Sequence, residues 1–233
     1  MNKRYEAIIF DLDDTLYDYS YHHQKSLDKT LTLISKNFEI EIFSLKKKYI
    51  EISKNLKLRL GNVSSSHNKF IYFHHLFRFY DLNINDLNVY FLFYWKTFLN
   101  NINLFKNVSE ALKILKKKTN LYLLTDYNSK ETFQKLHKLK ITKFFNDIIT
   151  SEEVGSEKPS KNNFKYVFDL INKKKKKKIL FIGNDFKKDV LGSLNYGFES
   201  VYFSQNYKEF KFKNGYYVFG NYKSFINNLH TIL

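Results

Sequence analysis

The chain has 233 residues, 43% of them hydrophobic, with no cysteine and a formal net charge of +16. That length and apolar content suit one sizeable core with a single inserted module, and the lack of cysteine excludes disulfides and thiolate metal sites. Asp11 interrupts an N-terminal apolar run too short for a secretory signal, and no run approaches membrane-spanning length, so a cytoplasmic protein with no membrane partner is expected.

The first expected strand is Ala7–Phe10. From Tyr19 to Phe105 no core strand is expected, and so long a plain loop is improbable. Leu27, Leu31, Ile34 and Phe38 recur at helical spacing, as do Ile42, Leu45, Tyr49, Ile52 and Leu56. Phe70, Phe73 and Phe77, then Leu87, Phe91, Tyr94 and Phe98, repeat the pattern, with 61–68 as the loop between the second and third helices. Four amphipathic helices can bury their stripes on one another, with aromatics such as Phe70, Phe73, Tyr94 and Trp95 mostly in the bundle core. Beyond Phe105, helices near 107–118, 129–139, 160–172 and 187–196 alternate with strands Leu121–Leu124, Asp147–Thr150, Ile179–Ile182 and Ser200–Phe203. The segment 215–220 reads as a last edge strand and 222–232 as a closing helix. This alternation predicts an α/β fold with a doubly wound parallel sheet, residues 1–18 and 106–233 forming the core and 19–105 an inserted helical module.

The basicity invites a nucleic-acid reading. Lys, Asn, Ile, Phe and Tyr are abundant together while Pro and Gly are scarce, however, which is the signature of A/T-rich codons. The Lys173–Lys178 run falls between a helix and a strand, where a solvated charge block costs little. The excess of lysine is read as background, and no specific nucleic-acid partner is expected.

Ligands of such sheets bind beyond the carboxyl ends of the strands, where four stations recur in order. "FDLDDTL" carries Asp11, Asp13 and Thr15; Thr125 ends the strand in "LYLLTDYN"; Lys158 precedes the only proline, Pro159, in "GSEKPS"; and "LFIGNDFKKDVLGS" carries Asp185 and Asp189. Together with the insert after the first strand, these stations resemble the haloacid dehalogenase superfamily of phosphohydrolases, in the branch with a four-helix cap. The resemblance covers essentially the whole chain. It implies Asp11 as a nucleophile forming an aspartyl-phosphate, Asp13 as the acid and base that protonates the leaving alcohol and then activates water, and Thr125 and Lys158 as phosphoryl contacts. It implies Mg2+, with Asp11, Asp13, Asp185 and Asp189 as the metal-site acids, and a small phosphorylated metabolite as substrate. The chemistry suits the residues: a carboxylate attacking a phosphate dianion brings like charges together at roughly 4 kcal/mol per pair at 4 Å and an effective dielectric near 20, and cations must offset this. An acid at position 13 argues against dehalogenation, where a halide leaves without a proton.

At the fourth station many relatives have Gly-Asp, whereas here Gly183 is followed by Asn184. Either Asn184 takes the first acidic position, or Asp185 and Asp189 form the pair at shorter spacing; the second is preferred because a neutral amide weakens a magnesium site. Asp14 is expected to cap the following turn and Thr15 to buttress the loop. The adjacent pairs His22/His23 and His74/His75 diverge by about 100° on a helix, which disfavours a shared ion. A phosphomutase or phosphonate-cleaving relative of the same fold, and a basic nucleic-acid binder with a vestigial fold, are the alternatives.

Overall fold

The computed structural model describes residues 5–171 and 178–232, so Lys173–Lys177 of the lysine run lie outside the described residues. The apolar segment AIIF forms β1 (Ala7–Phe10), buried on both faces as a central parallel strand requires. The chain then leaves for four helices before returning: α1 (Tyr19–Phe38), α2 (Ile42–Leu60), α3 (Lys69–Phe79) and α4 (Leu87–Asn101). The first three entries are capped by side chains, while Asp86 before α4 makes no such bond. Asp18 accepts from the Tyr21 N–H, Glu41 from those of Phe43 and Ser44, and Asn68 from those of Phe70 and Ile71. Gly61 closes α2 at φ 71, a left-handed value that favours glycine.

The apolar stripes meet as helical spacing dictates: α1 packs on α4 and α2 on α3. Leu45, Tyr49, Ile52 and Leu56 of α2 are buried, as are Tyr72, Phe73, Leu76 and Phe77 of α3. One expectation fails here. Phe73, Tyr94 and Trp95 are core residues, but Phe70 is 37% exposed and Lys69 takes the inward place at the start of α3.

After α5 (Val108–Lys116) come β2 (Asn120–Thr125), α6 (Ser129–Leu139), β3 (Asp147–Thr150), the single turn α7 (Ser151–Val154), α8 (Lys161–Ile171) and β4 (Ile179–Gly183). A π-helical turn, Phe186–Leu191, leads into α9 (Gly192–Tyr196) and β5 (Glu199–Phe203). Then follow β6 (Lys211–Lys213), β7 (Tyr216–Phe219), α10 (Tyr222–Asn227) and α11 (Leu229–Ile232). Among the described residues these strands form one sheet in the order β3-β2-β1-β4-β5-β7-β6, parallel except for the β6–β7 pair. The strand expected at the edge is therefore next to last. The true edge is β6, three exposed residues with a lysine at each end, a composition that blunts edge pairing but carries no strand signal. The closing helix is broken in two at Asn228, whose side chain donates to the Ser224 carbonyl.

The two strands of chain that join the helical insert to the sheet run side by side. The Phe105 N–H donates to the Leu16 carbonyl at 3.0 Å, and Tyr17 bridges to both Asp13 and Leu104.

Candidate active site

Asp11 is the first residue past β1, and its N–H still donates to the Ile182 carbonyl of β4 at 2.9 Å. Sheet pairing thus fixes the backbone that carries the first carboxylate. Lys158 reaches it from the loop before α8. Its own N–H is anchored on Asp126 just past β2, and its ammonium donates to Asp11 Oδ1 and Asp189 Oδ1, each at 2.7 Å. All three side chains are buried. Burial, helped by Asp189 and Asp13, pushes the Asp11 carboxyl up to about 7 although Lys158 pulls the other way. Burial also opposes the charge on Lys158, but Asp11, Asp189 and Asp126 outweigh it and hold the ammonium protonated.

Asp13 points elsewhere. Lys135 of α6 donates to both of its carboxylate oxygens at 2.8 Å, and the Tyr17 hydroxyl donates to Oδ1 at 2.5 Å. Asp13 is therefore held in one direction by two elements from outside the motif that contains it. Thr15 donates to Asp11 Oδ2 at 2.8 Å, buttressing the carboxylate itself rather than only the loop. Asp14, at φ 58, turns away and accepts from the N–H and hydroxyl of Ser20 in the first turn of α1. Thr125 closes β2, buried, one strand over from Asp11.

The fourth station corrects the preferred sequence reading. Asp185 is exposed, and its Oδ1 accepts from the N–H groups of Lys187 and Lys188 at 2.9 and 2.8 Å, capping the π-helical turn. It does not join Asp11. Asn184, the first residue past β4, lies against Asp11 and Thr15, and Asp185 does not. One end of the Asn184 carboxamide lies 3.3 Å from Asp11 Oδ2, 3.0 Å from the Asp13 carbonyl oxygen and 2.9 Å from Thr15 Oγ1. Asp189 comes back from the π-helical turn to meet Lys158, and the Asp185 N–H donates to its Oδ2 at 2.9 Å. Gly183 makes this possible: a Cβ there would lie 2.3 Å from Asp189 Oδ2.

These contacts also decide what kind of cation the residues suit. Among the described residues no cluster of three His, Cys, Asp or Glu side chains could hold a metal, and Asp185 and Asp189 are turned to other partners. What gathers instead is one carboxylate oxygen (Asp11), one peptide carbonyl (Asp13) and one carboxamide (Asn184). With the nitrogen of Asn184 at the shared end, it donates to the other groups; with its oxygen there, three hard oxygens face one another. That donor set fits magnesium, which keeps several waters and completes its shell with substrate phosphate.

Sequence reasoning missed Lys135, although a signal was present: it shares the buried face of α6 with Thr132, Leu136 and Leu139, where a lysine has no reason to be without a partner. It also missed a contact that joins the helical insert to a sheet loop, and the ion pairs behind it. His67 Nε2 lies 3.0 Å from Glu157, and Lys188 reaches both Glu157 and Asp126 at 3.1 Å. Burial alone would raise the Glu157 carboxyl, but His67 and Lys188 hold it below its ordinary value.

Comparison with known proteins places the fold and the family. The chain is 24% identical over 207 residues to a ribulose-1,5-bisphosphate 5-phosphatase of Halopiger xanaduensis, covering 84% of each chain. It is 25% identical over 205 residues to a glyceraldehyde 3-phosphate phosphatase of Pyrococcus furiosus, covering 86% of this chain and 81% of the relative. Its fold matches the magnesium-bound crystal structure of the hydrolase YfnB of Bacillus subtilis with a TM-score of 0.75 at 23% identity, over 98% of this chain and all of that one. The family model for haloacid dehalogenase-like hydrolases matches residues 5–197, and with its parallel core and helical insert the chain belongs to that family.

Proposed function

We propose that the protein hydrolyses a phosphomonoester of a small metabolite through an aspartyl-phosphate on Asp11. The observation that carries this reading is the buried Lys158 ammonium at 2.7 Å from Asp11, beside an Asp13 that is held apart by Lys135. The relatives named as sugar-phosphate phosphatases support a phosphorylated sugar or similar compound.

In this reading Asp11 attacks phosphorus, and the bond from phosphorus to the ester oxygen breaks. Asp13 gives its proton to the departing oxygen. Asp13 then takes a proton from water as that water attacks phosphorus, the Asp11–phosphorus bond breaks, and inorganic phosphate leaves. Lys158 neutralises charge on Asp11 and the phosphoryl oxygens, and Thr125 offers a hydroxyl to them. Lys135 and Tyr17 fix the direction of the Asp13 carboxylate so that it faces the leaving group. The Asp11 carboxylate, the Asp13 carbonyl and the Asn184 amide oxygen would hold a magnesium ion, which would supply further positive charge to the phosphate. Residues 19–105 act as a cap over the strand ends, hinged where Leu16–Tyr17 runs beside Leu104–Phe105, and exclude bulk water.

A screen of phosphorylated metabolites with magnesium tests the reading, using Asp11→Asn as the blank. Phosphate release by the native chain and its loss, by at least about 1,000-fold, in the variant are expected. Release that persists in Asp11→Asn would refute the assignment of the nucleophile.

A further inference from the structure

Lys69 takes no part in the chemistry above, yet it is the most anomalous lysine of the cap. It opens α3, one helical turn before Tyr72 and Phe73, so the helix turns it to the buried face. It is 7% exposed, and its ammonium donates to one acceptor, the His67 carbonyl at 3.0 Å. Among the described residues no carboxylate pairs with it. Around it stand the rings of Tyr72, Tyr19 and Tyr127, at 5.1, 5.9 and 5.9 Å from Nζ. Burial and two further cations, Lys57 and Lys135, bring its pKa down to about 7, with only Asp13 pulling it up. A buried ammonium among like charges is costly unless an anion completes it.

An independent observation points to the same region. Tyr49 is 3% exposed, and its hydroxyl has no hydrogen-bond partner. Its ring stands edge-on to Tyr72 at 5.9 Å, the same ring that lies 5.1 Å from the Lys69 ammonium. His23, stacked on Tyr19 and bonded to the Tyr94 hydroxyl, is kept neutral by burial and by Lys69 and Lys57, so it adds no charge to the region. The ammonium of Lys135, which holds Asp13, lies against two of the same rings, at 4.1 Å from Tyr127 and 5.5 Å from Tyr19. The region between Asp13 and α3 is therefore where a leaving group bonded to the phosphoryl would extend. It is aromatic, cationic and short of one anion.

We propose that Lys69 and Tyr49 form a subsite for a second oxyanion, a carboxylate or a second phosphate, on the leaving-group half of the substrate. The preferred substrates are then phosphomonoesters with an anionic group at each end. This inference rests on the phosphatase reading above for its kinetic test, and a binding test separates the two.

The kinetic test compares p-nitrophenyl phosphate, 3-phosphoglycerate and fructose 1,6-bisphosphate with the full chain and magnesium. Lys69→Met, which keeps the apolar stem, is expected to lower kcat/KM for the favoured doubly anionic substrate roughly 30-fold more than for p-nitrophenyl phosphate, chiefly through KM. Lys69→Arg should recover most of that loss, which a lysine acting as a neutral amine could not allow. The substrate that suffers the loss tells carboxylate from phosphate. Parallel losses on all three compounds would overturn the subsite while leaving the phosphatase reading intact. If the native chain hydrolyses none of them, titration calorimetry of 3-phosphoglycerate and fructose 1,6-bisphosphate decides the question without turnover. Binding to Asp11→Asn that weakens about tenfold or more on adding Lys69→Met supports the subsite, and equal affinity or no binding overturns it.

Discussion

Replacing Lys158 by methionine isolates the electrostatic argument of the site. The side chain is 2% exposed and donates to two buried carboxylates at 2.7 Å each, so the substitution leaves Asp11 and Asp189 facing each other with no counter-charge. Removing one partner of a buried ion pair costs about 3–5 kcal/mol. For a chain of this size each kcal/mol shifts the melting temperature by about 2–4 °C, so at pH 8 the midpoint falls by roughly 10 °C. The sign of the pH dependence follows from the carboxyls. Both are already raised above 3.8 by burial, with Lys158 pulling them down, so without it they rise further. An acid whose folded pKa is raised destabilises the fold as pH climbs from its unfolded value through the folded one. At pH 5 Asp11 takes up its proton and its conflict with Asp189 is relieved, so less than half of the loss remains. Thermal and urea unfolding of both proteins at pH 5 and pH 8 measure this. An equal loss at the two pH values, or less than about 1 kcal/mol at pH 8, would refute the reasoning.

Gly183→Ala places a methyl 2.3 Å from Asp189 Oδ2 and 2.5 Å from its Cγ. Overpacking should cost about 1–3 kcal/mol and turn Asp189 away from Lys158; unfolding together with activity assays checks this, and an unaltered variant would show that Asp189 need not fold back over the glycine. Asn184→Asp adds a carboxylate within 3.3 Å of Asp11 Oδ2. It should lower the metal-free melting temperature by charge repulsion and reduce the magnesium concentration at half-maximal thermal stabilisation about tenfold, since a hard cation favours the added charge. A variant with unchanged response to magnesium would remove Asn184 from the proposed donor set.

The parallel core was legible because its signals are local. A continuous apolar run such as Ala7–Phe10, too short for a helix, reads as a strand buried on both faces, and the stripes of the insert repeat at the period of a helix. Asp11 and Lys158 were singled out through the four ordered stations and the family these resemble; taken alone, Lys158 reads as one solvated lysine among many. The edge strand Lys211–Lys213 was not, because a three-residue Lys-Phe-Lys segment pairs only when β7 lies beside it.

The sequence by itself determined which residues end the strands, and so which backbone positions can meet at one side of the sheet. It did not determine which side chain turns inward. Whether Asn184 or Asp185 faces Asp11 depends on where β4 stops pairing with β5, at Gly183 opposite Tyr202, and on the π-helical turn that uses Asp185 as its cap. Likewise, Lys135 reaches Asp13 from 122 positions away only because α6 and the loop after β1 pack at the same end of the sheet. Lys69 is left without a carboxylate for the same kind of reason. Charge complementarity is a matter of distances through space, and only the tertiary fold sets those distances.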